Sequence, residues 1–162
     1  MADKFIIRKA KTRDLEGVLR LNLELFKKEY REFDKSLDLN WTYKRGKKYF
    51  RDRIVKKDGF VEVIENKGEI IGYLCGGITR GLFYRKKSKY AEMEDMLIEK
   101  KFRSKGLGTK LTRDFINWCK NNKVNYISAT ASVENKSAIN FYKNLGFEEY
   151  NLTLERKFFN NK

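Results

Sequence analysis

Histidine and proline are absent from the 162-residue sequence, and cysteine occurs only twice, as Cys75 and Cys119. Without histidine, a Ser-His-Asp triad, a Cys-His pair and every His-ligated metal site are excluded. Two cysteines are too few for a disulfide framework or an all-cysteine zinc site. Acid–base chemistry must therefore come from Glu, Asp, Tyr, Lys or an ordered water, and we predict no metal site.

Long hydrophobic runs are also missing. No stretch approaches the ~18 consecutive apolar residues that cross a membrane. The N-terminus, MADKFIIRKAKTRD, lacks the uninterrupted apolar stretch of a signal peptide. We therefore expect a cytoplasmic protein without a membrane partner. Hydrophobic residues still make up 41% of the chain, enough for a core, and residues 1–162 are predicted to form one domain.

Negative charge is scarce. The sequence has 22 Asp and Glu residues and 37 Lys and Arg residues, which gives a formal net charge of +15. Such a field attracts polyanions, namely nucleic acid, phosphorylated cofactors or acidic protein surfaces. The basic residues are spread along the chain, and a biased overall composition would produce the same excess. The charge alone therefore leaves open whether it is functional or compositional.

Hydrophobic periodicity and turn signals predict an alternating order of strands and helices. The expected elements are a strand at 5–10, a helix reaching about residue 30, a basic helix at 41–57, a hairpin at 59–78, a strand at 90–98, a helix at 109–122, a strand near 124–131, a short helix ended by Gly146, and a terminal strand or hairpin at 147–158. Strands that alternate with single helices require at least one parallel pair, whereas the hairpin is antiparallel. The predicted fold is α/β (α+β), with one mixed, mostly antiparallel sheet of about six to seven strands and about four helices. In the hairpin region, Gly72, Gly76 and Gly77 indicate a bulge or a close backbone approach.

The segment FRSKGLGTKL, residues 102–111, has the glycines and basic residues of a phosphate-binding turn before a helix. It is not a P-loop, because Gly108 is followed by Thr109 and no glycine stands five residues before it. It is not a dinucleotide fingerprint either, because Leu111 occupies the third glycine position. Both nucleotide-binding motifs are thus excluded.

The pattern that remains is R-x-x-G-x-G over residues 103–108. Glycines at 106 and 108 allow backbone N–H groups to turn inward, and a helix starting near Thr109 adds the positive end of its dipole. A site of this kind binds a pyrophosphate without a metal. An ordinary strand-to-helix turn with glycines for tight geometry would have the same residues, so the hexapeptide alone does not decide between them.

The surroundings of this loop resemble a known family. EDMLIEKKFRSKGLGTKL resembles motif A of the GNAT superfamily of acyl-CoA-dependent N-acetyltransferases, and NKSAINFYKNLGF (135–147) resembles its motif B. The front end, IIRKAKTRDLEGVLRLN and FVEVIENKGEIIGYLCGGI, is similar to the first strand and helix and to the second and third strands of that family. Residues 27–58 match poorly, in the segment that these enzymes vary to suit their substrates. The resemblance implies direct acetyl transfer from the co-substrate acetyl-CoA to a primary amine of a small molecule, peptide or protein.

The same resemblance implies a set of cofactor contacts. Main-chain groups of Met96, Leu97 and Ile98 are expected to bind pantetheine and polarise the thioester. The pyrophosphate is expected at residues Arg103, Ser104, Lys105, Gly106, Leu107, Gly108 and Thr109. Asn135 and Ser137 match cofactor-contacting positions, although Asn135 is equally suited to cap the motif B helix.

Acetylation also requires that the amine lose a proton, since an alkyl amine with a pKa of ~10.4 is almost wholly protonated at neutral pH. Glu92, Glu94 and Asp95 are the natural acceptors. The resemblance favours Glu94, often acting through water, whereas period-2 alternation would simply place Glu92 and Glu94 on the exposed face of a half-buried strand. Tyr142 matches the tyrosine that protonates the coenzyme A thiolate. The alternative role for Tyr142 is packing of its helix against the sheet.

The acceptor amine is not identified by these residues. The acidic strand favours a cationic amine, while the positive net charge favours anionic macromolecules. Nucleic acid is compatible with the basic surface but is not expected, and a homodimer stays open. The competing hypothesis is a basic nucleic-acid- or protein-binding module that keeps the fold without catalysis.

Overall fold

A computed structural model describes residues 4–82, 84–86 and 88–158. The elements in chain order are β1 (Phe5–Lys9), α1 (Leu15–Glu32), α2 (Lys47–Val55), β2 (Gly59–Asn66), β3 (Glu69–Thr79), β4 (Tyr90–Ile98), α3 (Leu107–Asn121), β5 (Tyr126–Ala129) and α4 (Lys136–Asn144). A π-helical turn, Thr42–Gly46, precedes α2 directly. Residues 1–3, 83, 87 and 159–162 of the predicted domain lie outside the described part.

The strands form one sheet in the order β1-β2-β3-β4-β5. All neighbours pair antiparallel except β4 and β5, which are parallel. The mixed, mostly antiparallel sheet with four α-helices is therefore confirmed. The predicted count of six to seven strands is too high, because five are present in the described residues. The terminal segment 147–158 contains no strand: it pairs with no described neighbour, and a strand needs a partner for its N–H and C=O groups.

One face of the sheet is covered by α1 and α2. The apolar stripe of α1 and the ring of Phe50 on α2 pack against alternate residues of β2 and β3. The buried members of this layer include Leu15, Val18, Leu19, Leu21, Phe50, Val61, Val63 and Tyr73. Asn22 lies within this layer and is fully buried, and its side chain bridges Tyr73 Oη at 3.1 Å and Thr42 Oγ1 at 2.7 Å. These hydrogen bonds join α1 to the sheet and to the turn before α2.

The opposite face is covered by α3. Its side chains Leu111, Phe115 and Cys119 pack on the residues of β2, β3 and β4 that alternate with the first set. A Cβ at Gly76 would stand 2.5 Å from the Glu92 carbonyl oxygen and 2.8 Å from the Phe115 ring, so glycine permits this close approach. In the described part of the chain, none of the helices combines the length and apolarity needed to cross a bilayer.

Candidate active site

Strand β4 contains a bulge at Glu94. On β3, Cys75 lies opposite Asp95 and the next residue, Gly76, lies opposite Met93, so Glu94 is an extra residue on β4. In a β-bulge, two residues of one strand lie opposite a single residue of the neighbouring strand, and the bulged strand bends at that point. The close backbone approach and bulge that the β3 glycines predict are both confirmed at this position.

The bulge shifts the alternation of side chains by one residue. Met93 packs in the core under α3, whereas Leu97 packs in the core under α1 and α2. In a regular strand residues 93 and 97 would share a face. The shift places Asp95 on the same side as Glu92 and Glu94, so all three carboxyl groups point toward α1 and α2.

The same stretch of β4 has an open edge. Pairing with β5 covers only Tyr90–Met93, opposite Tyr126–Ala129. From Glu94 to Ile98 no described strand lies beside β4 on that side, and alternate residues direct main-chain groups away from β3. Met96, Leu97 and Ile98, the predicted pantetheine contacts, lie along this edge.

Glu94 forms a partly buried ion pair with Arg53 of α2. Arg53 Nε donates to Glu94 Oε2 at 3.0 Å, and Arg53 Nη2 donates to Glu94 Oε1. Only 17% of the arginine side chain and 14% of the glutamate side chain are exposed. Cys75 Sγ lies 3.8 Å from Glu94 Oε2 as a weak donor, and the guanidinium lies 5.6 Å from the centre of the Tyr49 ring.

Sequence reasoning missed Arg53. It belongs to the poorly matching segment 27–58, and its partner is 41 residues away along the chain. Alternation and local spacing carry no signal for a pair of this kind. In the folded structure Gly77 makes room for this arginine, since a Cβ there would stand 2.4 Å from Arg53 Nη1.

The surroundings of Glu94 are rich in carboxyl groups. Burial, followed by repulsion from Glu94, Glu29 and Glu92, raises the pKa of Asp95 to about 7. Burial and the charge of Glu94 raise the pKa of Glu92, and burial raises that of Glu29 on α1. Arg53 compensates Glu94 and Glu92, and Lys28 compensates Glu29, while burial and three carboxyl neighbours raise the pKa of Asp95, so the site favours a bound cation although the chain is basic.

Tyr142 lies on α4 and is half-buried. Its ring packs against Phe141 and Phe147, with centroids 5.4 and 5.6 Å away. Burial raises the pKa of Tyr142 above its usual value of 10, and the charges of Asp95 and Glu29 act in the same direction. The phenol is therefore protonated at neutral pH, and the packing and proton-donor roles are compatible.

The loop after β4 leads directly into α3. Arg103 Nε donates to the Ile98 carbonyl oxygen at 2.7 Å, which holds the arginine at the end of the strand. Ser104 and Gly106 have positive φ angles of 60° and 74°, and Gly106 is the last residue before the helix. A helix that begins at Leu107 leaves its first N–H groups without intrahelical acceptors and adds a positive dipole end.

The two loop glycines differ in what they require. Gly106 needs its left-handed backbone but has nothing within 4 Å of an added Cβ. A Cβ on Gly108 would meet Ile98 Cδ1 and the Phe141 ring at 3.6 Å, which is ordinary contact. Neither glycine is required by a clash with the protein itself; Gly106 is exposed, Gly108 and Thr109 are half-buried, and the side chain of Leu107 is buried in the core. The predicted pyrophosphate residues 103–109 are contiguous around these two glycines.

At the start of α4, Asn135 caps the helix. Its Oδ1 accepts a hydrogen bond from Ala138 N at 3.1 Å, so the capping alternative is present in the structure. Ser137 is exposed in the first turn of the helix. Phe141 brings α4 next to the N-terminus of α3. The described residues contain no group of three or more His, Cys, Asp or Glu side chains arranged to hold a metal ion.

Comparison with known sequences gives two matches. Residues 19–147 match the Acetyltransferase (GNAT) family. Over 134 residues, 78% of the chain, the sequence is 35% identical to an uncharacterized N-acetyltransferase of Methanocaldococcus jannaschii. The chain spans 55% of the length of that relative.

Solved structures share the fold at low sequence identity. A mutant protein from Bacillus halodurans has a TM-score of 0.79 and 21% identity, over 95% of this chain and 99% of that one. The aminoglycoside N-acetyltransferase AAC(6')-Iy in complex with CoA has a TM-score of 0.76 and 18% identity, over 97% of each chain. At these identities the likeness establishes the arrangement of the strands and helices.

Proposed function

The chain belongs to the GNAT family of acetyltransferases, and on this premise we propose that residues 1–162 act as a single N-acetyltransferase domain. The reaction would transfer an acetyl group from acetyl-CoA directly to a primary amine. The observation that carries the proposal is the bulge at Glu94, which sets three carboxyl groups beside an open strand edge. A short 3-10 turn, Lys100–Phe102, and the loop at 103–106 connect that edge to the start of α3.

The residues present suit coenzyme A. The N–H groups of 106–109 and the dipole of α3 would hold the pyrophosphate, with Arg103, Ser104 and Lys105 beside them. Main-chain groups of 96–98 would hydrogen-bond the pantetheine arm, and Asn135 and Ser137 would flank it at the start of α4. When bound, acetyl-CoA supplies an activated acetyl group as a thioester. AAC(6')-Iy, which shares the fold, is known in complex with CoA.

Two side chains would move the protons. Glu94 would accept, through water, the proton that the ammonium must lose before its nitrogen can form a bond to the acetyl carbon, and the second N–H proton would pass to solvent once that bond has formed. Arg53 bonds both oxygens of Glu94 and Cys75 Sγ lies 3.8 Å from Oε2, and a remaining lone pair of the carboxylate would accept a hydrogen bond from a bridging water. Tyr142 donates its phenolic proton to the sulfur as the carbon–sulfur bond breaks. A general acid or base of this kind contributes roughly 10²–10⁴-fold in rate.

The acceptor would be an amine that carries positive charge before it reacts. The carboxyl groups of Glu29, Glu92 and Asp95 attract such an amine and orient it toward Glu94. The likeness to an aminoglycoside N-acetyltransferase supports a small cationic acceptor, and a peptide or protein amine presents the same reacting group.

A thiol-release assay with acetyl-CoA across a panel of amines tests the activity. The panel would contain a polyamine, an aminoglycoside, free amino acids, and peptides with a free N-terminus or a lysine. With a reactive amine, Glu94→Gln and Tyr142→Phe should each lower single-turnover acetylation by roughly 10²–10⁴-fold. Glu24→Gln and Tyr150→Phe, which change exposed residues, are the matched controls. Unchanged rates in both active-site variants would refute the assigned roles.

The charge of +15 favours a second function, a basic module that binds nucleic acid or protein without catalysis. Binding that collapses between about 50 and 200 mM salt would indicate many phosphate contacts. A coenzyme A site should be less sensitive to salt. Absence of thiol release with every amine, together with steep salt-dependent binding of single- or double-stranded DNA or RNA, would support this module instead.

A further inference from the structure

Glu94 is surrounded by charged and titratable groups from four elements. Arg53 and Tyr49 reach it from α2, Cys75 from β3, Glu92 and Asp95 from β4 itself, and Glu29 lies nearby on α1. Among these groups only the guanidinium carries positive charge.

The arginine compensates this environment in a specific geometry. Its Nε and Nη2 atoms bond the two oxygens of Glu94 separately, which fixes the plane of the carboxylate as well as neutralising it. Glu92 and Asp95 lie on the same face without a guanidinium partner among the described residues, and burial raises their pKa values. Glu94 is thus the carboxylate of the cluster that the guanidinium holds in a fixed orientation.

The position of Arg53 is prepared by the backbone around it. A Cβ at Gly77 would stand 2.4 Å from Nη1, so glycine on β3 clears the space for the guanidinium. A Cβ at Gly59 would stand 2.1 Å from the Arg53 carbonyl oxygen, so a second glycine lets the end of α2 pack against β2. The two glycines therefore admit the guanidinium and the end of α2 against the sheet.

We propose that Arg53 is a positioning residue whose bidentate ion pair holds the carboxylate of Glu94 in the orientation in which it accepts a proton. The inference rests on the function proposed above. Under this proposal the poorly matching segment 27–58 contributes to proton transfer through Arg53, in addition to any contact it makes with the acceptor amine.

The decisive measurement is the pH profile of kcat/KM for thiol release between pH 6 and 9, with the best amine of the panel. Arg53→Gln should lower kcat/KM at pH 7 by about 10–100-fold, and the acidic limb of the profile should move up by about one pH unit or more. The loss should therefore shrink toward pH 9. Arg51→Gln removes the same charge from an exposed position of α2 and should leave the profile unchanged.

A merely structural role for Arg53 makes a different prediction. Arg53→Gln would then reduce the folded fraction, measured by thermal melting, while the acidic limb of the folded enzyme stayed at its wild-type pH. That result would overturn the inference. If Arg53→Gln does not fold, Arg53→Lys decides: it keeps the charge but loses the bidentate geometry, so kcat should fall while the acidic limb stays near its wild-type pH. Wild-type kcat in Arg53→Lys would overturn the positioning role.

Failure of the inference can be distinguished from failure of the proposed function. An inactive wild-type protein, or a fully active Glu94→Gln variant, would refute the proposed function and the role of Arg53 with it. An impaired Glu94→Gln variant combined with a wild-type profile for Arg53→Gln would refute only the role of Arg53. Retention of a melting shift with acetyl-CoA in Arg53→Gln would show that the cofactor site remains intact.

Discussion

Replacement of Gly108 with alanine tests whether the loop before α3 is a phosphate cradle or an ordinary turn. The two readings make opposite predictions for this residue. In a turn shaped only by the protein, a methyl group at 108 meets Ile98 and Phe141 at ordinary contact distance and should be tolerated. In a cradle, the same methyl group occupies the space through which a pyrophosphate approaches the N–H groups of the first helical turn.

The expected magnitudes follow from these contacts. Alanine is better than glycine in a helix by ~0.5–1 kcal/mol, so the free protein should keep or gain stability. For a domain of this size 1 kcal/mol corresponds to roughly 2–4 °C in Tm. The affinity for acetyl-CoA should fall by about tenfold or more, equivalent to ~1.4 kcal/mol.

Thermal melting with and without acetyl-CoA measures both effects. At ~100 times the wild-type Kd, the cofactor adds ~2.7 kcal/mol to the wild-type protein. A tenfold weaker variant would gain only ~1.4 kcal/mol at the same concentration. Gly68→Ala is the control, because it places alanine at a φ of 84° in the β2–β3 turn, outside the loop before α3. It should lower Tm but leave the increment from acetyl-CoA unchanged.

If acetyl-CoA stabilises Gly108→Ala as much as it stabilises the wild-type protein, the loop is not a phosphate cradle that depends on Gly108. The glycine would then have no role in backbone approach to a ligand. A lower Tm of the free Gly108→Ala protein would instead contradict the packing argument, because the structure leaves room for the methyl group.

Three further predictions concern stability. Phe50→Ala should cost about 3–5 kcal/mol in urea unfolding, because the ring is fully buried between α2 and the sheet; a cost below 1 kcal/mol would contradict this packing. Asn22→Ala should cost about 1–3 kcal/mol by the same measurement, since it leaves the buried hydroxyls of Thr42 and Tyr73 without their shared partner. Burial raises the pKa of Glu62 from 4.5 to about 7, so the folded state favours the protonated acid and stability is lost as pH rises through that range. Glu62→Gln should therefore raise Tm at pH 8 but not at pH 4, and an equal change at both values would show that ionisation is not the cause.

Local patterns were sufficient where each residue's role depends on its neighbours in the chain. Strand β4 was predicted at 90–98, and it spans Tyr90–Ile98 because alternation and flanking polar residues define a strand locally. The predicted hairpin at 59–78 is likewise formed by β2 and β3, with Lys67 and Gly68 between them. The predicted strand or hairpin at 147–158 is absent, because its side chains are typical of a strand but pairing depends on a partner elsewhere in the fold.

The candidate site shows the same division. Glu94 and Tyr142 could be predicted as catalytic residues because they lie within contiguous motifs that resemble those of a family. Asn135 was left with two roles, and the structure reveals the capping bond because a cap is decided by the backbone of the next turn. Arg53 could not be found, because its importance comes from its distance to a side chain on another element.

From the sequence alone came the type and order of nearly all elements, the exclusion of a Ser-His-Asp triad and of His-ligated metal sites, and the prediction that residues 103–109 hold a pyrophosphate. These properties follow from short-range periodicity, residue inventory and backbone freedom. Three features appear only in the folded chain. A bulge places Asp95 on the same side of the sheet as Glu92 and Glu94, and β4 has an open edge beyond Met93. Arg53 forms its ion pair with Glu94. Strand register, burial and electrostatic compensation depend on contacts between residues far apart in the chain, and those contacts exist only after the sheet and its helices have assembled.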